Sequence, residues 1–204
     1  MPRAGLTRAR VVAEAAVVAD EQGLDRLTLA TVAKRLGVSL PSLYKHIDSL
    51  DGLRRDLAVL GVRELTGALT RAAVGRSGRT ALEAIAGAYR EYAHAYPARC
   101  AASVRAPAPD DDEHLAVGAA AVAVLDAVVA GYGIQGDDRI HAIRILRVAL
   151  HGFVSLEAAG GFGLPQSVDV TFARMVDGLD ASLRRQASGD PQAKNRTSSL
   201  FTDS

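Results

Sequence analysis

Tryptophan is absent from this chain of 204 residues, and aromatic residues make up only 4% of it. Its core must therefore be aliphatic, drawn from the Ala, Val and Leu that dominate a hydrophobic content of 49%. Cysteine occurs once, as Cys100. A disulfide framework is excluded, which fits a reducing cytoplasm, and Cys100 reads as a small buried residue rather than a redox switch. No apolar run reaches the ~18 residues of a membrane span. The nearest approach, residues 115–132, is broken by Gly118, Asp126 and Gly131 and reads as a buried helix. The opening MPRAGLTRAR lacks an apolar segment of the signal-peptide kind, so no leader is expected. Neither sign of charge dominates: the net charge is +1. Residues 1–55 hold nine Lys or Arg against six Asp or Glu. That local surplus supports phosphate contacts without predicting them.

Reactive constellations are also missing. The run Asp110-Asp111-Asp112-Glu113-His114 opens a helix. Consecutive helical residues point around the cylinder, so these acids read as partners of the helix dipole, not as metal ligands. Glu91 and His94 make a single Glu-x-x-His pair, where a di-metal carboxylate site needs two such pairs and further glutamates. His151 and Glu157 lie on different sides of one helix. No Ser/His/Asp or Cys/His pattern is present, and no cofactor, metal or enzymatic activity is expected.

What is present centres on Thr28–Ile47, TLATVAKRLGVSLPSLYKHI. Leu29, Val32, Ala33 and Leu36 recur at the spacing of one helix face. Thr28 can cap that helix, and Gly37 suits a left-handed stop. Ser39 can cap a second helix, its hydroxyl taking the N–H of Ser42 because Pro41 has none. In that helix Leu40, Leu43 and Ile47 gather on one side and Tyr44 sits at its edge. Pro41, Ser42, Lys45 and His46 point outward with no acid among them. Two short helices around a glycine-containing turn describe a helix-turn-helix. An outward face that is small, polar and basic suits a major groove ~12 Å wide.

The run LGVSLPSLYKHIDSLDGL, with Leu27-Thr28 upstream, resembles the helix-turn-helix of the TetR family of bacterial repressors. The resemblance implies that Leu40–His46 enters the major groove, that Ser42 and Lys45 read bases and that Leu40 and Pro41 make apolar contacts. It also implies that Tyr44, His46 and Thr28 hold phosphates, with Ser39 at the same surface. A lysine usually opens the next helix in this family. Here Leu50 takes its place, Asp48 and Asp51 stand nearby, and Arg54 or Arg55 is expected to compensate. The segment around His151-Gly152-Phe153, followed by Gly-Gly-Phe-Gly-Leu-Pro, resembles a TetR subgroup marked by a Trp-His-Gly signature, although Leu150 stands where the Trp would be.

Along the rest of the chain, residues 1–5 read as a loose arm. A first helix is expected from about Thr7 to Gln22, with Val11, Val12, Ala15, Val18 and Ala19 buried and Gly23 as its stop. A linker helix spans about 49–73, and 74–78 is a loop and domain boundary. Further helices are expected over about 80–96, 98–104, 111–129, 137–159 and 168–186, and the tail from Ser188 reads as disordered. The expected fold is all-α. It comprises a three-helix helix-turn-helix domain, 1–52, and a larger helical-bundle domain, 75–187, for ligand binding and dimerisation. Two apolar stripes are assigned to a homodimer interface: Ile143, Leu146, Leu150 and Phe153, and Phe172, Met175, Val176, Leu179 and Leu183. Tyr89, Tyr92, Tyr96, Tyr132 and His151 are the polar-tipped candidates for a small-molecule pocket. The reading is a cytoplasmic repressor with a palindromic double-stranded DNA operator, a small-molecule effector and no membrane partner. The alternative is an all-α small-molecule-binding protein or enzyme that does not bind DNA.

Overall fold

The computed structural model describes residues 5–188; of the expected loose arm over 1–5 and the expected tail from Ser188, all but Gly5 and Ser188 lie outside them. Among the described residues every regular element is a helix, with no strand. In order they form α1 (Arg8–Gln22), α2 (Leu29–Leu36), α3 (Leu40–Leu43), α4 (Leu50–Ala73), α5 (Gly78–Ala95), α6 (Pro97–Ala102), α7 (Asp112–Ala130), α8 (Gly136–Ala158) and α9 (Val168–Ala187). A 3-10 turn at Leu24–Arg26 joins α1 to α2.

Local chemistry sets the boundaries. Thr7 Oγ1 accepts the N–H of Arg10 at 3.2 Å and opens α1. Gly23, at φ 89°, closes it by donating to Ala19 at 2.7 Å. Thr28 Oγ1 accepts from the N–H of Thr31 at 3.1 Å and also pairs with its hydroxyl at 2.8 Å. Thr31 thus joins the cap from the position where a capping box would have Glu or Gln. At the other end of α2, Gly37 adopts φ 66°, and Gly37 and Val38 donate back to Lys34 and Ala33 at 3.2 and 3.0 Å. A residue with a β-carbon would be strained there. Ser49 Oγ caps α4 through Gly52 N–H at 3.0 Å, and Asp111 caps α7 through His114 N–H at 3.1 Å.

The described residues form two compact units: 5–68 with 91–121, and 69–90 with 122–188. In the first, Val11, Val18, Val32, Leu43, Ile47, Leu53 and Leu57 build one aliphatic core across α1–α4, joined by Ala98 of α6. The first turn of α6 is tied to this unit. Asp20 of α1 accepts the N–H groups of Ala98 and Arg99 at 3.0 and 3.2 Å, and the Arg99 guanidinium lies 2.8 Å from Asp20 and 3.1 Å from Glu64 of α4. Burial raises the Asp20 carboxyl above its usual range, and these donors pull the other way. Cys100 is buried at the same place.

The second unit buries Leu82 and Ile85 of α5, Val128 and Val129 of α7, Leu146, Leu150 and Phe153 of α8, and Val176, Leu179 and Leu183 of α9. Arg90 pairs with Glu157 at 2.5 Å and Asp169 at 2.7 Å while its guanidinium lies over Phe172 and Phe153. Phe162, from the Gly-Gly-Phe-Gly-Leu-Pro loop, stacks on Phe153 with ring centres 5.0 Å apart.

Burial of α7 departs from expectation. Among the described residues it is the one helix long and apolar enough to cross a membrane by length and composition, yet only 22% of its most apolar stretch is buried. Much of the exposed surface is alanine, whose methyl groups raise apolarity without the bulk that a core requires, but Leu115 and Val122 are exposed as well, and only His114, Leu125, Val128 and Val129 are covered.

Candidate nucleic-acid interface

The segment following Gly37 is built from two opposed demands. Leu43 and Ile47 are 0% and 1% exposed in the core of the first unit. The same few residues leave Pro41, Lys45 and Tyr44 exposed, Tyr44 at 52%, and Ser42 and His46 half-buried. Leu40 is 38% exposed, so it belongs to the surface and not to the buried side on which periodicity placed it. Regular α-helix ends at Leu43, but Tyr44 still donates to Leu40 and Ile47 to Leu43, both at 3.2 Å. His46 donates to Leu43 at 2.9 Å, an i−3 bond that tightens this last turn.

Capping by Ser39 differs from expectation. Its carbonyl accepts from Ser42 and Leu43 at 3.0 and 3.2 Å, while its hydroxyl pairs with the Ser42 hydroxyl at 2.9 Å. Once Pro41 removes one donor from the first turn, the main-chain carbonyl already serves the next N–H. The two hydroxyls then form a small exposed polar pair.

Nearby charges are managed by long-range ion pairs. Arg105, from the segment after α6, forms a two-pronged pair with Asp51 in the first turn of α4, both contacts at 2.9 Å. This holds the Asp51 carboxyl below its usual range, so the acid expected to repel a phosphate is neutralised in place. Arg55 does not take the role of the missing lysine. It points away to Asp56 at 3.0 Å, Glu113 at 2.8 Å and Asp111, and is 22% exposed. Arg54 is half-buried. Arg35 of α2 is held by Glu14 and Glu21 of α1 at 2.9 and 2.6 Å, which ties α2 to α1 and balances the Arg35 charge with two carboxylates. Such pairs link positions up to 58 residues apart and leave no local signal in the sequence. Thr28 is exposed at the start of α2.

The candidate effector residues separate. Tyr89 is buried, and its hydroxyl meets Nδ1 of half-buried His151 at 3.0 Å. Burial, with the charge of Arg147, lowers the His151 pKa. Tyr132 donates to buried Asp180 at 2.7 Å. Tyr92 donates to Glu64 at 3.1 Å, and Tyr96 lies against Tyr92 and under the Arg99 guanidinium. Of the five, only Tyr89 and His151 are brought together by a direct hydrogen bond.

The stripe assigned to a partner chain is largely internal. Ile143, Leu146, Leu150, Phe153, Val176, Leu179 and Leu183 are all buried within the single chain, and Phe172 and Met175 are half-buried. The i, i+3, i+4 pattern marks the face that α8 and α9 turn toward their own subunit. Periodicity cannot say whose side chains cover it. A second α8 row is open: Ile145, Val148 and Leu156 are 47%, 72% and 53% exposed.

A three-helix unit with a glycine-turned helix pair, followed by a longer helical segment, is the architecture of a helix-turn-helix transcriptional regulator. Residues 11–57 match the family of bacterial regulatory proteins typified by the tetracycline repressor, the tetR family, and residues 82–179 match a tetracycline repressor-like C-terminal domain. The chain is 38% identical over 184 residues to an HTH-type transcriptional regulator of Mycobacterium tuberculosis, covering 90% of this chain and 84% of that one. It is 31% identical to the HTH-type transcriptional regulator YobS of Bacillus subtilis, covering 92% and 94%. A Rhodococcus sp. RHA1 structure of unknown function superposes with a TM-score of 0.74 at 27% identity, covering 90% of this chain and 98% of that one. TetR from Acinetobacter baumannii AYE shares the fold, with a TM-score of 0.64 at 22% identity and 90% and 99% coverage. The chain belongs to the TetR family of bacterial regulatory proteins.

Proposed function

We propose that this protein is a homodimeric, cytoplasmic repressor that a small-molecule effector releases from a palindromic operator. Residues 39–46 enter the major groove. Ser42 and Lys45 read base edges, and Leu40 and Pro41 meet apolar groups such as a thymine methyl. Ser39, Tyr44, His46 and Thr28 hold the backbone. One observation carries this reading. A single short segment anchors itself through Leu43 and Ile47, at 0% and 1% exposure, and thereby aims Tyr44, Lys45 and Pro41 at solvent on a rigid base.

Dimerisation is assigned to the open row of α8, Ile145, Val148, Gly152 and Leu156, whose spacing of three, four and four residues is one helix face. Gly178 of α9, with no atom within 4 Å of where a β-carbon would be, and exposed Ala181 extend this face with small groups that admit a neighbouring helix. A two-fold axis there gives two recognition segments and a palindromic operator with half-sites a whole number of turns apart.

For the effector, Tyr89 and His151 are the polar contacts we assign, within a C-terminal domain of the Trp-His-Gly subgroup that here lacks the Trp. Functionally the chain divides into an operator-reading part over 1–52, a linker helix and an effector and dimer part over 75–187. An electrophoretic shift with DNA flanking the protein's own gene tests the reading. Binding that falls by orders of magnitude between about 50 and about 200 mM salt is expected. No shift on any flanking DNA would overturn it.

A further inference from the structure

A cleft of about 610 Å³ opens in the first unit, between α1, α4 and the first turn of α7. Ala9, Val12 and Ala13 of α1 and Val59 and Leu60 of α4 give it an apolar lining. Positions 9 and 13 are one helical turn apart, and both are alanine and exposed, so this side of α1 offers methyl groups and leaves the space between the helices unfilled.

The charges around the lining are Arg8, Arg55, Arg63, Asp56 and Glu113. They differ in how firmly they are held. Asp56 is 7% exposed and accepts from Arg8 at 2.7 and 2.9 Å and from Arg55 at 3.0 Å. Removing any of these donors would leave a buried carboxylate short of partners, which is strongly unfavourable. Arg63 and Glu113 meet at 3.0 Å with 57% and 53% of their side chains exposed. A pair that open to water contributes little. Glu113 also accepts from Arg55 at 2.8 Å, but Arg55 keeps Asp56 and Asp111 as partners, so Glu113 is the replaceable member of the ring.

Sign follows from this asymmetry. A guanidinium has five N–H groups. The contacts above use two of Arg8's and one of Arg63's. An incoming carboxylate meets donors still available on both and can replace Glu113 on Arg63 and on Arg55. An incoming ammonium would have to displace an arginine from sheltered Asp56.

We infer that this cleft is a binding site for a small aliphatic carboxylate, its tail on the alanine and valine lining and its charge on Arg63 and Arg55 in place of Glu113. Occupancy exchanges a tie between α4 and α7 for a contact to the ligand. The site is separate from the Tyr89–His151 pair and does not depend on the operator reading.

Calorimetric titration of the full-length protein without DNA tests it, so failure here and failure to bind operator are seen separately. Hexanoate, octanoate and octan-1-ol are the probes. Octanoate should bind with one site per chain, more weakly as salt rises, and at least about tenfold more tightly than octan-1-ol. Arg63→Gln should weaken octanoate about tenfold. Ala13→Leu, which fills the lining, should abolish binding. Both positions are exposed, so both variants should keep the wild-type melting temperature, which is measured alongside. No heat from either carboxylate would overturn the assignment. So would equal affinity for the alcohol, or wild-type octanoate binding in both variants, which would locate the anion elsewhere.

Discussion

A β-carbon on Gly61 of α4 would overlap the carbonyl oxygen of Arg99, in the first turn of α6. The two backbones touch because no side chain intervenes. Asp20 holds the same turn of α6 by its N–H groups, and Tyr92 reaches the Gly61 carbonyl at 3.4 Å. Two effects of Gly61→Ala compete. Better helix propensity is worth up to about 1 kcal/mol. Overpacking against an immobile backbone costs about 1–3 kcal/mol. Overpacking should win, so Gly61→Ala should lower stability by about 1–2 kcal/mol in urea unfolding. Gly87→Ala is the control. It lies within α5 with no atom within 4 Å of the added carbon, and it should raise stability by up to about 1 kcal/mol. A Gly61→Ala protein as stable as wild type would mean that α6 does not press on α4.

The exposed row of α8 predicts the oligomer. Val148 is 72% exposed, so Val148→Glu should leave the fold and its helical circular dichroism intact. On a two-fold seam it would place two carboxylates together in a desolvated contact. Sedimentation equilibrium should then show monomer where wild type shows dimer, with operator affinity lost in parallel. Leu150→Ala should behave differently, since Leu150 is 1% exposed inside the chain. Its loss should cost about 2–5 kcal/mol of stability. A Val148→Glu protein that remains dimeric would move the interface elsewhere.

His151 gives stability a pH dependence. Its folded pKa is lowered by burial and by Arg147, so the unfolded chain binds a proton more readily. Stability is therefore complete above the unfolded value of about 6.5 and is lost as pH falls from there toward the lower folded value. The carboxyls of Asp51, Glu113 and Asp180, which also have lowered values, act only at more acid pH. The melting temperature should fall between about pH 7 and about pH 5.5, and His151→Gln should flatten that slope. An equal slope in the variant would assign the effect to another group.

Helix existence was legible because caps and glycine stops are local. Thr7, Thr28, Gly23 and Gly37 all act where their residue types suggest. Two things were hidden for physical reasons. An apolar stripe states that a face is covered but not by which chain, so Leu146 and Leu150 pointed to a partner while lying in their own core. Ion pairs between distant positions, Asp51 with Arg105 or Arg55 with Asp111, have no sequence periodicity. The acidic run before α7 thus read as a dipole partner, although Asp111 and Glu113 also neutralise Arg55. The exposure of Pro41 and Lys45 was legible, whereas Ser42 and His46 are half-buried and Leu40 is left at the surface by a four-residue helix.

Groove reading by the exposed face beside Leu43 and Ile47 is tested most directly by the salt dependence of operator affinity for wild type and Lys45→Ala. Fluorescence anisotropy on one flanking duplex is sufficient. Lys45 is exposed on that segment, so its loss should weaken binding about tenfold or more at unchanged melting temperature. Because it is assigned to a base edge, relaxed discrimination among operator variants should accompany the weaker binding. If Lys45→Ala matches wild type in affinity, salt slope and sequence preference, the segment after Gly37 does not read DNA as described.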